Sequence, residues 1–272
     1  MNTYMNQANL DKLHSVQLNM MDRVHAFCEE NGIEYFLDSG TALGAIRHKG
    51  FIPWDDDIDL GMMRSDYDRF LELALKKGIS GIFVQIYETE PLYTNYHIKL
   101  RLENTVYPQI YNADYKHRGI QIDVFPFDFV SDNKLLAKLQ LNTTRIIREI
   151  SDKRFQNYIP RNIVKKSIYY ILKVIPKKTI RSTYDKLCRK YNNKGTNTVT
   201  CFSYKMSRKQ DLFFPVNAIH PIKTVVFENR DYFIMNDPDL YLKVMYGDYM
   251  TLPPKEKQVC HLVGEVIYEK EV

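Results

Sequence analysis

Residues 51–62 read FIPWDDDIDLGM, with four aspartates in the five positions after Trp54 and an apolar run beyond. Four carboxylates this close repel one another, so the chain must leave them in water or bring something positive among them. The apolar neighbours Ile58 and Leu60 argue against water. Alternate residues of a strand share a face, so Asp57 and Asp59 project together while Ile58 and Leu60 point to a core. A hard divalent cation, Mg²⁺ or Mn²⁺, answers the repulsion, and Mg²⁺ is commonly completed by water and substrate phosphate. An EF-hand loop fits Asp55, Asp57 and Asp59 at its first three ligand positions. It fails further on, where Leu60 replaces the glycine and Asp66 the glutamate. Asp55 and Asp56 read as loop or supporting residues.

A third carboxylate stands alone in GIQIDVFPFD, where Asp123 lies between Ile122 and Val124. A pair of aspartates on one strand and a single one on a neighbour can hold one or two ions. Such a clamp stabilises the attacking and leaving oxygens of a phosphoryl displacement. Upstream, the strand IEYFLD ends in Ser39-Gly40-Thr41, and ALGAIRH continues as a helix. A helix start offers free N–H groups to a phosphate, and Gly40 lets the backbone approach it closely. Arg47 and His48 follow two helical turns later, and Lys99 and Arg101 alternate on a strand. All four are candidates to neutralise a diphosphate.

The remaining pattern is a mixture of helices and strands. Residues 9–31 form an amphipathic helix stopped at Asn31-Gly32. Ser65 with Asp68 has the spacing of a capping box for the helix that follows. IFVQIYE, HIKLRLE, TVYPQIY and GIQIDVFPFD read as strands. Residues 133–194 are mostly helical, TVVFENRDYFIM is a hairpin turning near Asn229, and NDPDLYLKVMYG is a helix capped by Asp237 and stopped by Gly247.

Charge is uneven. Of 38 Lys/Arg in the chain, 17 fall in residues 131–194, against 4 of the 33 Asp/Glu. Segments such as RNIVKKSIYYILKVIPKK combine apolar stretches with lysines, as an element docking on anionic lipid would. The four cysteines lack metal-ligand spacing, and no apolar run reaches the length of a spanning helix. No signal peptide is evident. The expected location is cytoplasmic, peripheral at the inner face of the membrane.

These residues together resemble the LicD family of the nucleotidyltransferase fold. LDSGTALGAIRHKGFIPWDDDIDLGM is nearly a complete family signature, and RGIQIDVFPFD resembles the second block. YLKVMYGDYMTLPP followed by His261 resembles the C-terminal block. Fukutin-related proteins share the WDxDxD block. The resemblance implies an α/β fold, a mixed β-sheet flanked by helices. Residues 1–130 and 195–272 would form the catalytic core, and 131–194 a basic helical insertion. It implies transfer of phosphocholine, or a related phospho-alcohol, from CDP-choline or another CDP-alcohol to a sugar hydroxyl of a cell-surface glycan. That glycan would be lipid-linked: a teichoic acid, capsule or lipopolysaccharide precursor. CMP would leave. Carried over by residue, Asp57, Asp59 and Asp123 would hold one or two ions. Gly40 and Thr41 would contact donor phosphate, and His261 would touch substrate. The zinc-binding cysteine cluster of some members has no counterpart here.

Two other classes compete. A metal-dependent glycosyltransferase also uses a DxD, but usually after a nucleotide-binding α/β unit of roughly a hundred residues, for which the 56 residues before Asp57 leave no room. A non-catalytic protein binding membrane or nucleic acid through its basic limb leaves the aspartates unexplained, and no nucleic-acid partner is expected.

Overall fold

A computed structural model of the chain describes residues 7–109, 115–155, 170, 174–204, 211–258, 260 and 264–268. The polypeptide divides into two compact units, residues 1–126 with 217–272, and residues 127–216.

The first unit is built on five neighbouring strands in the order β1-β2-β5-β4-β3. These are β1 (Phe36–Leu37), β2 (Asp59–Met63), β3 (Ile82–Gln85), β4 (Ile98–Leu102) and the first half of β5 (Gln121–Val130). β1 lies antiparallel to β2, and β3, β4 and β5 form an antiparallel run in which Lys99 faces Asp123 and Arg101 faces Gln121. Strand centres are apolar: Ile58, Leu60, Leu100, Ile122 and Val124 are fully buried. Helix α1 (Gln7–Glu30) adds Leu13, Met20, Met21 and Val24 to this core. Helix α2 (Ser39–Arg47) packs on β2, and α3 (Arg64–Lys77) follows β2 directly.

That direct passage defeats the expected capping box. The helix already begins at Arg64 with Met63 as its N-cap, and no side chain caps it. Ser65 therefore sits inside the first turn, its hydroxyl 3.5 Å from Asp66. TVYPQIY is not a strand over its described residues, 105–109. Val106 makes only an isolated bridge to Ile267, and Thr105 closes a turn by donating to the Leu102 carbonyl. Pro108 has no N–H to offer a ladder.

The second unit takes the rest of β5, which pairs with β6 (Thr198–Thr200), itself paired with β7 (Phe214–Pro215). Helices α4 (Lys134–Phe155) and α5 (Lys177–Cys188) pack together, with Gln140 Nε2 donating to the Leu187 carbonyl at 2.7 Å. Most of RNIVKKSIYYILKVIPKK lies outside the described residues. Among those described, no helix is long and apolar enough to cross a membrane.

After the short α6 (Val216–Ile219), the chain forms a hairpin of β8 (Lys223–Phe227) and β9 (Arg230–Ile234). Its two turn residues, Glu228 and Asn229, both adopt left-handed φ (51° and 60°), the twist a two-residue hairpin needs. The last helix, α7 (Pro238–Tyr246), has Asp237 accepting from Leu240 N–H and Pro238 in its first turn.

Candidate active site

The aspartate run is fixed by its backbone. His14 Nε2 donates to the Asp55 carbonyl (2.8 Å) and Gln17 Nε2 to the Asp56 carbonyl (2.9 Å), both from α1. The His14 ring stacks on Phe51, with centroids 3.8 Å apart. Asp56 turns inward, fully buried, and the Tyr107 hydroxyl donates to its carboxylate. Burial and Asp56 together push the Tyr107 phenol far up, so the hydroxyl keeps its proton and remains a donor. Asp55, Asp57 and Asp59 keep partial exposure. Carboxylate oxygens of Asp55, Asp56 and Asp57 lie within 4.8 Å of one another. Because Asp56 is engaged with Tyr107, its neighbours are the better ligand candidates.

Helix α2 begins at the same place. Its N-cap is Asp38, which accepts from the Ser39 N–H at 2.6 Å and receives the hydroxyl of Tyr241 from α7. The Thr41 hydroxyl accepts from Asp59 N–H (2.9 Å), tying helix start to strand start. From Arg47 the chain runs back along α2. Gly44 permits this, since a Cβ there would lie 2.5 Å from the Gly50 carbonyl oxygen. One turn earlier, a Cβ on Gly40 would lie 2.5 Å from Asp55 Oδ2. The Asp55 carboxylate thus rests against the first turn of α2. We predict that Gly40→Ala leaves thermal stability unchanged or raises it by up to about 1 kcal/mol, the helix propensity gain. Divalent-metal affinity should fall about tenfold as Asp55 is pushed aside. Unchanged metal affinity by calorimetry would remove Asp55 from the site.

Asp123 meets the aspartates through the sheet, its N–H donating to the Ile58 carbonyl at 2.9 Å. Lys99 Nζ contacts both its carboxylate oxygens, at 2.5 and 2.6 Å, and His97 Nε2 lies 3.5 Å from Oδ2. Burial opposes ionisation of Asp123, but Lys99 and His97 outweigh it and hold the carboxyl below the usual range. Asp59 is the opposite case. Burial raises its pKa well above the ordinary value, and Asp57, Asp123, Asp38 and Asp55 raise it further. The Tyr246 phenol, at the end of α7, is also raised, by desolvation of its hydroxyl and by Asp59, Asp38, Asp55 and Asp57, although the residue as a whole is 40% exposed. Both shifts share one cause, the negative charge gathered around Asp59.

The other expected residues have partners of their own. Arg47 Nη1 donates to the Tyr249 carbonyl (2.6 Å), and His48 caps the far end of α2, edge-on to Trp54. Arg101 is buried and bound to Gln85 and Gly119. His261 lies outside the described residues. Sequence reasoning missed Asp38, His97 and Tyr246. His97 had a usable signal, because it shares the strand alternation of Lys99 and Arg101.

Residues 32–169 match the model of the LicD/FKTN/FKRP nucleotidyltransferase domain. The chain belongs to the LicD/FKTN/FKRP nucleotidyltransferase family. It is 30% identical, over 96% of its length and 98% of the relative's, to the lipopolysaccharide cholinephosphotransferase LicD of Haemophilus influenzae. Over 38 residues, 14% of this chain and 8% of the relative, it is 50% identical to the human ribitol 5-phosphate transferase FKRP. An uncharacterized protein of Rickettsia typhi is 44% identical over 54 residues, 20% of this chain and 18% of that protein. The LicD match spans both units of this chain, whereas the FKRP match is confined to a short block.

Proposed function

We propose that the protein is a metal-dependent transferase that moves phosphocholine, or a related phospho-alcohol, from a CDP-linked donor to a sugar hydroxyl of a cell-surface glycan, releasing CMP. The observation that carries this reading is the crowding of Asp55, Asp56 and Asp57, whose carboxylate oxygens lie within 4.8 Å of one another, beside the first turn of α2, to which Thr41 ties Asp59. Likeness along nearly the whole chain to a cholinephosphotransferase supports the choice of head group.

Asp57 and Asp59, with Asp123, are suited to hold Mg²⁺ or Mn²⁺, since crowded carboxylates are the oxygen-rich donor set these ions prefer. Bound there, the ion would neutralise donor phosphate charge and polarise the phosphoryl group under attack. The chain's own residues do the rest. The first turn of α2 directs N–H groups at an anion. Thr41 fixes that turn to Asp59. Lys99 places a second positive charge beside Asp123 and keeps it ionised, the state an oxygen ligand needs.

A thermal-shift panel of Mg²⁺ with CDP-choline, CDP-ribitol, CDP-glycerol, UDP-glucose and CMP tests the reading, because a ligand of the native state raises Tm by mass action. A metal-dependent rise with CDP-choline, weaker with CMP and absent with UDP-glucose, is expected. No shift with any cytidine compound in Mg²⁺ or Mn²⁺ would overturn it.

A further inference from the structure

Beside the β3–β4 pair, a cavity of about 330 Å³ opens between the end of β4 and residues 116–119. None of its lining residues belongs to the aspartate cluster. We propose that it is a second, metal-independent anion site that takes a phosphate group carried by a small molecule.

The charge of its walls is one-sided. Arg101, Lys116 and Arg118 line it with His117, against a single carboxylate, Glu103. Arg101 is the deepest of these, at 1% exposure. Its Nε donates to Gln85 Oε1 and its Nη1 to the Gly119 carbonyl, each at 2.9 Å. Its Nη2 is buried and has no hydrogen-bond partner among the described residues. A buried guanidinium with an unmet donor is costly, and an anionic oxygen is the acceptor that repays most. The guanidinium is also held still. Gln85, which accepts from Nε, donates in turn to the His117 carbonyl at 3.1 Å. The His117 ring stacks on Phe83 with centroids 3.5 Å apart and planes 12° apart. A Cβ on Gly119 would fall 2.0 Å from the Leu102 carbonyl oxygen, so residues 116–119 are pressed against the strand end. Lys116 is exposed and Arg118 half-buried, so these two face an arriving anion first.

This site deepens the proposed transfer only if its phosphate comes from a substrate of that reaction. The phosphate group itself is common to a released nucleotide, a phosphorylated acceptor sugar and free phosphate. Arg101 lies two residues along β4 from Lys99, on the same face of the strand, so one extended molecule reaching both places is stereochemically reasonable.

Isothermal titration of the full chain in EDTA separates the two sites, because without a cation the aspartates repel phosphate. The probes are inorganic phosphate, CMP and glucose 6-phosphate, with glucose as the uncharged control. Saturable binding of at least one phosphate probe and none of glucose is expected. Lys116→Gln/Arg118→Gln should weaken it about tenfold, Lys116→Gln alone should weaken it less, and Asp57→Asn should leave it unchanged. CMP binding tightest would assign the site to the leaving nucleotide, glucose 6-phosphate to the acceptor, and equal affinities to the phosphate alone. Absence of saturable binding in EDTA would overturn the proposal. So would binding that survives both the single and the double substitution, or binding lost in Asp57→Asn. Failure of the donor panel with success here would refute the proposed transfer and leave this site standing.

Discussion

Asp59→Asn abolishes transfer, with kcat falling about 10³-fold or more, while the metal-free protein becomes more stable. The two effects have one cause. The Asp59 carboxyl is held well above the ordinary aspartate range by desolvation and by Asp57, Asp123, Asp38 and Asp55. An amide of the same shape removes the repulsion and the proposed metal ligand together. The sign with pH follows. A carboxyl with a raised folded-state pKa keeps its proton in the native state while the unfolded chain ionises, so wild-type stability falls as pH rises through that interval. The Tm gap between Asp59→Asn and the wild type, measured in EDTA, therefore closes in acid and opens with rising pH. Saturating Mg²⁺ should shrink the gap by stabilising the wild type alone. A variant with near-normal turnover, or one less stable than wild type in EDTA at neutral pH, would dismiss the cation trap.

Lys99→Met is expected to be among the most destabilising single changes in the catalytic unit, at about 3–5 kcal/mol. Lys99 and Asp123 are each buried, at 7% and 8% exposure, and Lys99 reaches both carboxylate oxygens. Deleting the ammonium leaves a carboxylate in a low-dielectric setting, with His97 3.5 Å away. Lys99→Met/Asp123→Asn removes both charges and should recover most of the loss, since an apolar and an amide side chain need no such partner. The native pair holds the Asp123 carboxyl low, so its stabilisation is present above the ordinary aspartate pKa and fades as pH falls through the folded-state value. The single variant should accordingly approach the wild type in acid. Urea unfolding of the three proteins decides the matter. A single-variant cost below about 1 kcal/mol would mean that the pair is dispensable.

Asp59 and Asp123 stood out because each interrupts an apolar strand pattern, which period-two alternation reads without any knowledge of the fold; Asp57, expected on the same strand, instead lies just before β2 begins at Asp59. The Asp237 cap and the Asn229 turn were legible for the same local reason, since both act within a few residues. The capping box at Ser65 looked equally local and did not form. Strand β2 runs straight into α3, and that continuity moved the helix start past the motif.

Sequence alone determined the acidic run of Asp55, Asp56, Asp57 and Asp59, its placement at the start of a strand, and the mixed α/β class, because these depend on neighbouring residues and their periodicity. Tertiary structure alone decided which groups serve them. Tyr241 reaches Asp38 across 203 positions, Tyr107 takes Asp56 out of the cluster across 51, and Lys99 pairs with Asp123 across 24. It also buried the Arg101 guanidinium against Gln85 and Gly119, at the wall of a cavity. Chain spacing carries no information about such pairings, because the energy of a buried charge or hydroxyl depends on what the folded sheet brings opposite it.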